Sequence, residues 1–417
     1  KECLDFHRNK YRYIQVDEYQ DTNLIQKDII YLLAGQDGNL AVVGDDDQSI
    51  YAFRGAKPEI MLNFQKEYPK SKMVKMSTNY RSGKKIISEA DRVIKSNTNR
   101  FQKDFIGFKP ENGAVEYIVT EEKKDEILKI YSRIKKLLND GENPADIAVL
   151  FRTNRQAEKM AAILFRNQIP FQSNEKIQSK YEHWMFQDLQ AYYRLANKHL
   201  DNKSSDARRD LSRVLNHPNR YLFGYDYIVH GLNRRAMKAT VYAKEKEPWK
   251  LNAAEGNIDM LLKNLRGKKP SDFLRSLYSI GKYKKYLEDY ADFRNMEVRD
   301  LSSIWKEYQH DASTYNDWVE WGKYIVKYNK ELKETLKNKD GIMLSTMHGS
   351  KGLEWKHVFI IDCVEGVCPS PKAETAEELE EERRLFYVAM TRAKEHLYLC
   401  YYKAEEGKTV VASPYIM

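Results

Sequence analysis

The sequence predicts an α/β protein built on parallel sheets and interrupted by an all-helical insertion. Two short apolar runs, Tyr11 to Val16 and Leu40 to Val43, flank a segment of helical period. Each run is followed within two residues by an aspartate. Strand signals vanish between about 197 and 336 and return near 358, so one sheet is expected to be split in sequence by helices.

The first segment places Ile25, Ile29, Leu32 and Leu33 at helical spacing and stops that helix at Gly35. Strand, acidic turn, helix and strand then put Asp17 and Asp45 just past the carboxyl ends of neighbouring strands, where open α/β sheets take ligands. A second α/β rhythm runs from 73 to 196. It has a strand at Ala114 to Val119, a helix through Ile127, Tyr131, Ile134 and Leu138, and a strand at Ile147 to Arg152. The insertion, 197 to 336, reads as polar helices rich in Tyr, Trp, Lys and Arg. Strands at Val358 to Ile361 and His396 to Tyr402 close the interrupted unit within 337 to 417.

A length of 417 residues favours two or three domains over one. With 70 basic and 61 acidic residues the net charge is +9, which favours a polyanionic partner. Residues 201 to 337 hold 27 basic and 20 acidic residues, so the insertion carries most of the excess and is the expected place for duplex contact. The mean hydropathy of −0.73 and the lack of a long apolar run argue against a membrane span or a signal core, and the chain reads as a soluble intracellular protein. Cys3, Cys363, Cys368 and Cys400 lack metal-ligand spacing and read as reduced thiols. The chain opens on Lys1 and enters a structured pattern at once, which reads as a fragment boundary.

Five segments carry chemistry. In IQVDEYQDTN, residues 14 to 23, a strand delivers two adjacent carboxylates, the arrangement by which nucleotide hydrolases hold Mg²⁺ (Asp17) and place a base or water-orienting group (Glu18), with Gln20 and Asp21 following. VVGDDDQSIYAFRGA, residues 42 to 56, again ends a strand at Gly44 and Asp45. It then supplies Gln48, whose amide could sense a γ-phosphate, the aromatics Tyr51 and Phe53, and Arg54. On its own Phe53 reads as core packing; beside its neighbours it reads as a stacking platform. NYRS, residues 79 to 82, pairs Tyr80 with Arg81 for stacking and phosphate neutralisation. LSTMHGSKGLEW, residues 344 to 355, holds Thr346, His348, Lys351 and Glu354 on a Gly-bearing turn that suits a phosphate and a ribose hydroxyl, with His348 open to a capping or core role. EERRLFYVAMTRAKEHLYL, residues 381 to 399, carries Arg392 on a helix, as a surface charge or as an arginine finger.

In this order the five segments closely resemble the UvrD/Rep/PcrA family of superfamily-one helicases, from Tyr11 to the end of the chain. The resemblance implies an ATP-dependent 3′-to-5′ translocase on single-stranded DNA, with RecA-like domains that close on ATP and reopen on hydrolysis. By it, Asp17 is the Mg²⁺ ligand, Glu18 the catalytic base and Gln48 the γ-phosphate sensor. Tyr80 stacks on adenine, Arg81 and Arg392 are arginine fingers, Glu354 meets the ribose, and Asp45 belongs to the nucleotide site. Tyr51, Phe53, Arg54, Thr346 and His348 are single-strand contacts, and FRTN, residues 151 to 154, lines the DNA path through Arg152 and Asn154.

The same resemblance assigns 1–72 to the C-terminal portion of a first RecA-like domain. It assigns 73–196 and 337–417 to the second such domain, and 197–336 to a mobile helical subdomain at single-strand/duplex junctions. It implies a role in repair, replication or recombination and a cytoplasmic, nucleoid-associated location. Two departures stand out. No G-x-x-x-x-G-K-[ST] phosphate loop occurs in the 417 residues, so a missing N-terminal half is the expected partner and the chain alone is expected to hydrolyse little ATP. NHPNRYLFGYDY, residues 216 to 227, lacks the Gly-Ile-Gly turn with which the family grips duplex DNA. A non-catalytic DNA-binding scaffold is the alternative from another class, and the motor subunit of a helicase-nuclease is a nearer variant.

Overall fold

The computed structural model describes residues 2–35, 38–175, 177–197, 205–220, 258–294, 298–405 and 407–417. It forms two compact units, one of residues 1–177 with 334–417 and one of 178–333. No described helix is long and apolar enough to cross a membrane.

The first unit opens with helix α1 (Glu2–Lys10), strand β1 (Tyr13–Val16), helix α2 (Leu24–Ala34) and strand β2 (Asn39–Val42). Asn23 caps α2 by accepting from the Gln26 amide while the Gln26 side chain returns to the Asn23 amide, which fixes where the helix starts. β1 and β2 pair in parallel, Val16 opposite Val42, so the residues after each strand emerge side by side. The helical spacing of Ile25, Ile29 and Leu32 is present, yet the stripe is not buried here: Ile25 is 73% exposed and Leu32 53%.

Two short helices, α3 (Pro58–Leu62) and α4 (Phe64–Glu67), lead to a parallel pair of two-residue strands, β3 (Thr78–Asn79) and β4 (Ile106–Gly107), separated by α5 (Lys84–Ile94). The main sheet then assembles from β5 (Ala114–Glu122), β6 (Ile147–Phe151), β7 (Phe171–Ser173), β8 (Ile342–Thr346), β9 (Trp355–Ile360) and β10 (Ala393–Glu405). Their spatial order is β5, β10, β9, β6, β8, β7, all parallel, and a short β11 (Lys408–Thr409) folds back on the end of β10. Helices α6 (Lys123–Asn139) and α7 (Asn154–Arg166) are the crossovers on either side of β6. β6 is buried at all five residues, as a central parallel strand covered on both faces must be. α6 buries Ile130, Ile134 and Leu137 and leaves Ile127, Tyr131 and Leu138 partly covered, a face rotated from the one its spacing suggested. β7 and β8 are absent from the sequence-based expectation. Leu344 to Thr346 lie in a strand, and the turn starts only at Met347.

The second unit is helical throughout its described residues, with helices at Trp184–Asn197, Ser205–Val214, Ile258–Leu265, Pro270–Ser279, Tyr283–Arg294, Val298–Thr314 and Trp318–Thr335. Its many aromatics form the core: Tyr192, Tyr283, Trp305, Tyr308 and Trp321 are fully buried. Buried Asp188 accepts from the Tyr283 hydroxyl at 2.8 Å and faces His217 Nδ1 at 2.6 Å, which satisfies polar groups inside that core. Of the segment 216 to 227, residues 221 onward lie outside the described residues.

One buried cluster sets the position of the turn after β2. Asp45, Asp46 and Asp47 follow one another there, and Asp46 and Asp47 are buried. Arg100 grips Asp47 with two bonds, of 2.8 and 2.7 Å, and Lys103 Nζ lies 2.6, 2.5 and 2.8 Å from Asp45, Asp46 and Asp47. Burial opposes the Lys103 charge, but the three carboxylates hold its ammonium above the ordinary range. Removing one partner of a buried pair strands the other charge. Arg100→Met is therefore expected to lower the unfolding free energy by about 3–5 kcal/mol in denaturant titrations. A loss below about 1 kcal/mol would show that Lys103 suffices for Asp47.

Candidate nucleotide and nucleic-acid site

The carboxyl ends of β1 and β2 build one side of the site. Glu18 stands at φ +52°, the left-handed region that a side chain seldom occupies, and this bend turns the chain from β1 into a single turn at Tyr19–Asp21. Its carboxylate accepts from Gln20 Nε2 at 2.5 Å. Gln20 is fully buried and accepts from the Asp45 amide at 3.1 Å, which couples the two strand ends. Gly44 permits this contact: a Cβ there would lie 2.3 Å from Gln20 Oε1. Asp17 and Glu18 are exposed, and Asp17 Oδ1 accepts from the Glu18 amide. Among the described residues no three His, Cys, Asp or Glu side chains could hold a metal together. Asp17, an exposed single carboxylate, has the chemistry of a hard-cation ligand that leaves the rest of the shell to water and other oxygens.

Gln48 joins this side to the second. Its Nε2 donates to Asp45 Oδ2 at 2.8 Å and its Oε1 accepts from Arg392 Nη2 at 3.2 Å. Arg392 is 1% exposed, so it is no surface charge. Burial, then the neighbouring Arg81 charge, brings its pKa down to about 10, which leaves it charged at neutral pH. It follows helix α8 (Ala376–Met390), which leads into β10, and the Arg392 carbonyl accepts from the Trp355 amide. Arg81 Nε donates to Glu354 at 2.6 Å, and Lys394 lies 2.9 Å from the same carboxylate. Lys394, then Arg81, holds Glu354 below the usual carboxylate range. Tyr80, beside Arg81, is 62% exposed.

The expected single-strand contacts form a second cluster. Phe53 is 68% exposed, so core packing does not explain it. Its ring lies 5.8 Å from both Tyr51 and His348 in edge-on geometry, and the Arg54 guanidinium sits over both Tyr51 and Phe53. Burial, then the Arg152 charge, pushes the His348 pKa down to about 4. Arg152 is held by two bonds to Glu382, 3.2 and 2.6 Å long, and Thr346 donates its hydroxyl to Glu175. Asn154 is exposed in the first turn of α7, which a reciprocal Thr153/Gln156 cap starts. The structure thus gathers Tyr51, Phe53, Arg54 and His348 into one cluster and ties Arg152 and Thr346 to carboxylates beside it.

Lys351 links the two clusters; the sequence placed it on the phosphate-suited turn and gave no sign of its partners. Its Nζ lies 2.6 Å from Asp21, 3.5 Å from Glu18 and 2.9 Å from the Gln48 carbonyl, and above the Tyr51 ring. Arg100 and Lys103 were missed as well. The available signal was the run of three aspartates, which cannot be buried without basic partners.

Residues 1–69 match the UvrD/REP helicase N-terminal domain, and residues 74–404 match the UvrD-like helicase C-terminal domain. The chain is similar to the YjcD protein of Bacillus subtilis, 31% identical over 100% of this chain and 55% of that protein. It is also similar to proteins named ATP-dependent DNA helicase PcrA. That of Staphylococcus epidermidis is 30% identical and that of Staphylococcus aureus 29%, each over 95% of this chain and 56% of the relative. The chain therefore spans about half the length of the curated relatives it matches. With one family match running from 74 to 404 and a second over the residues before it, the chain belongs to the UvrD-like helicase family.

Proposed function

We propose that this chain is the coupling part of an ATP-driven motor that moves 3′ to 5′ along single-stranded DNA and opens duplexes in repair, replication or recombination. The observation that carries the reading is the paired link across the first unit, Gln48 between Asp45 and Arg392 and Lys351 between Asp21 and Gln48. A nucleotide held at Asp17, Glu18, Tyr80 and Arg81 cannot alter Gln48 without altering Arg392. Through the Gln48 backbone and Lys351 it also reaches the turn that bears His348. The bonds give one arrangement, Gln48 on Arg392, and in this reading a γ-phosphate draws both side chains into a second. In this reading Glu18 takes the proton of the attacking water, Arg81 and Arg392 meet developing phosphate charge, and Glu354, released from Arg81 and still held by Lys394, accepts from the ribose. Asp17 would hold Mg²⁺, whose charge would offset that of the phosphate oxygens.

The phosphate loop, in this reading, comes from a segment outside the 417 residues. A two-stranded sheet is marginal by itself, and β1 and β2 carry an uncovered helix stripe of Leu24, Ile25, Ile29 and Leu32. Further strands and a phosphate-loop helix would cover both. Residues 1–72 are then the end of a first RecA-like domain, 73–196 and 337–417 the second, and 197–336 the subdomain at single-strand/duplex junctions. A cytoplasmic, nucleoid-bound location follows from that partner.

The test is DNA-stimulated ATP hydrolysis by the chain joined to its phosphate-loop segment. Glu18→Gln is expected to cut turnover by about 100-fold or more, and Arg392→Ala by about 1,000-fold, with single-strand affinity retained. Turnover that survives both changes would remove the catalytic reading. DNA binding without turnover in the joined protein would establish the scaffold instead. A dye at either strand end, read by stopped flow, reports polarity.

His348 gives a separate expectation. A pKa near 4 makes its imidazole neutral at pH 7, so it adds no counter-charge to a phosphate. The salt dependence of single-strand affinity at pH 7 should be unchanged in His348→Gln and shallower by roughly 0.7 in Arg54→Gln. Equal losses of slope would show a charged His348.

A further inference from the structure

An aromatic pair outside the core stands at Tyr80. Phe108 lies against its ring at 4.8 Å between centroids and 43° between planes, yet Tyr80 and Phe108 are 62% and 66% exposed. Burial does not explain two rings held together in solvent. Their backbones do the holding. β3 and β4 pair with Asn79 opposite Gly107, and the Phe108 amide donates to the Asn79 carbonyl at 2.9 Å. Gly107 makes this close approach possible, since a Cβ there would lie 2.9 Å from Lys84 Cγ and 3.2 Å from Ile87 Cδ1 of α5. On the other side the Asn79 side chain accepts from the Arg81 and Ser82 amides at 2.9 and 3.0 Å. The Ser82 hydroxyl then donates to the Ala393 carbonyl at 2.6 Å. Tyr80 is thus mounted on a turn fixed at both ends, with Phe108 against its ring and Arg81 directed to Glu354.

We propose that Phe108 is a positioning residue for the nucleotide base: it holds the Tyr80 ring in the orientation on which a planar purine stacks. The proposal rests on the reading of Tyr80 as a nucleotide contact. A tyrosine in open solvent samples several rotamers and must be ordered when a base arrives; a ring already packed on one side has lost much of that freedom. The remaining open side is then presented as a flat apolar surface. Phe108 acts through Tyr80 and needs no contact with the phosphates, so its effect belongs to base binding alone.

The experiment is steady-state hydrolysis by the chain joined to its phosphate-loop segment, with inorganic tripolyphosphate as a competing ligand that has no base. Phe108→Ala is expected to raise the KM for ATP about 3- to 10-fold, the range an aromatic pair contributes, with kcat within about two-fold. Phe108→Tyr restores KM. Inhibition by tripolyphosphate stays as in the unchanged protein, and Phe108→Ala adds nothing to Tyr80→Ala. A raised KM for Tyr80→Ala with none for Phe108→Ala overturns the proposal, as does a matching loss of tripolyphosphate inhibition. If Tyr80→Ala itself leaves KM unchanged, the nucleotide reading of Tyr80 fails and this proposal falls with it.

Discussion

Three consecutive carboxylates at the end of β2 are the constraint on which the site depends. Asp45, Asp46 and Asp47 can occupy a largely buried turn only because Arg100 and Lys103 meet them there. The Phe101 amide adds a bond to Asp46 at 2.8 Å. With that turn fixed, the next residues have little freedom. Gln48 is aimed at Arg392, and three residues later Tyr51 and Phe53 open onto His348. The pairing partners come from the stretch after α5, so the strand end of the first sheet is held by residues that precede the second.

The links at Gln48 and Lys351 differ in kind. Gln48 makes neutral-to-charged hydrogen bonds of 2.8 and 3.2 Å, of a size that a competing phosphate can exchange. Lys351 is 7% exposed at its side chain and lies between two carboxylates and a carbonyl, so displacing it would leave a buried charge without partners. One link is suited to switch and the other to hold. The two contacts meet at Gln48, whose backbone carbonyl is held by Lys351 while its side chain bonds Asp45 and Arg392.

Much of this was legible in the sequence, and the gaps have physical causes. β1, β2, β6 and the helices between them announced themselves because apolar period reports a face that must be covered. The same period cannot say what covers it, so the bare stripe of α2 came as a result of the structure. β7 has three residues, and the apolar part of β8, Ile342 to Leu344, has no more, too short to separate from the motif that follows. The places of Asp17 and Glu18 past β1 were legible from the apolar run before them, whereas Arg392, expected on a helix, lies between α8 and β10. The ion pairs of Lys351 and Lys103 were not legible, because their partners lie 330 and 58 residues away along the chain. The aromatic wealth of the insertion was visible and its meaning was not. Tyr283, Trp305 and Trp321 build that unit's core.

The bare stripe of α2 ties stability to chemistry. Covering a large apolar side chain fully stabilises a fold by about 1.5–3 kcal/mol, and Leu24, Ile25, Ile29 and Leu32 are each about half or more uncovered. Covering the four would contribute several kcal/mol, a sizeable share of the roughly 5–15 kcal/mol by which a domain is stable. A segment that brings strands to β1 and β2 and a helix to α2 would therefore be bound by apolar burial, before any nucleotide arrives. The phosphate loop such a segment carries would then be positioned by the same surface that stabilises it. Nucleotide affinity would depend on residues of α2 that touch no nucleotide. In the proposed motor, catalytic competence would thus be set first by completion of the β1–β2 sheet and only then by the charges at its edge.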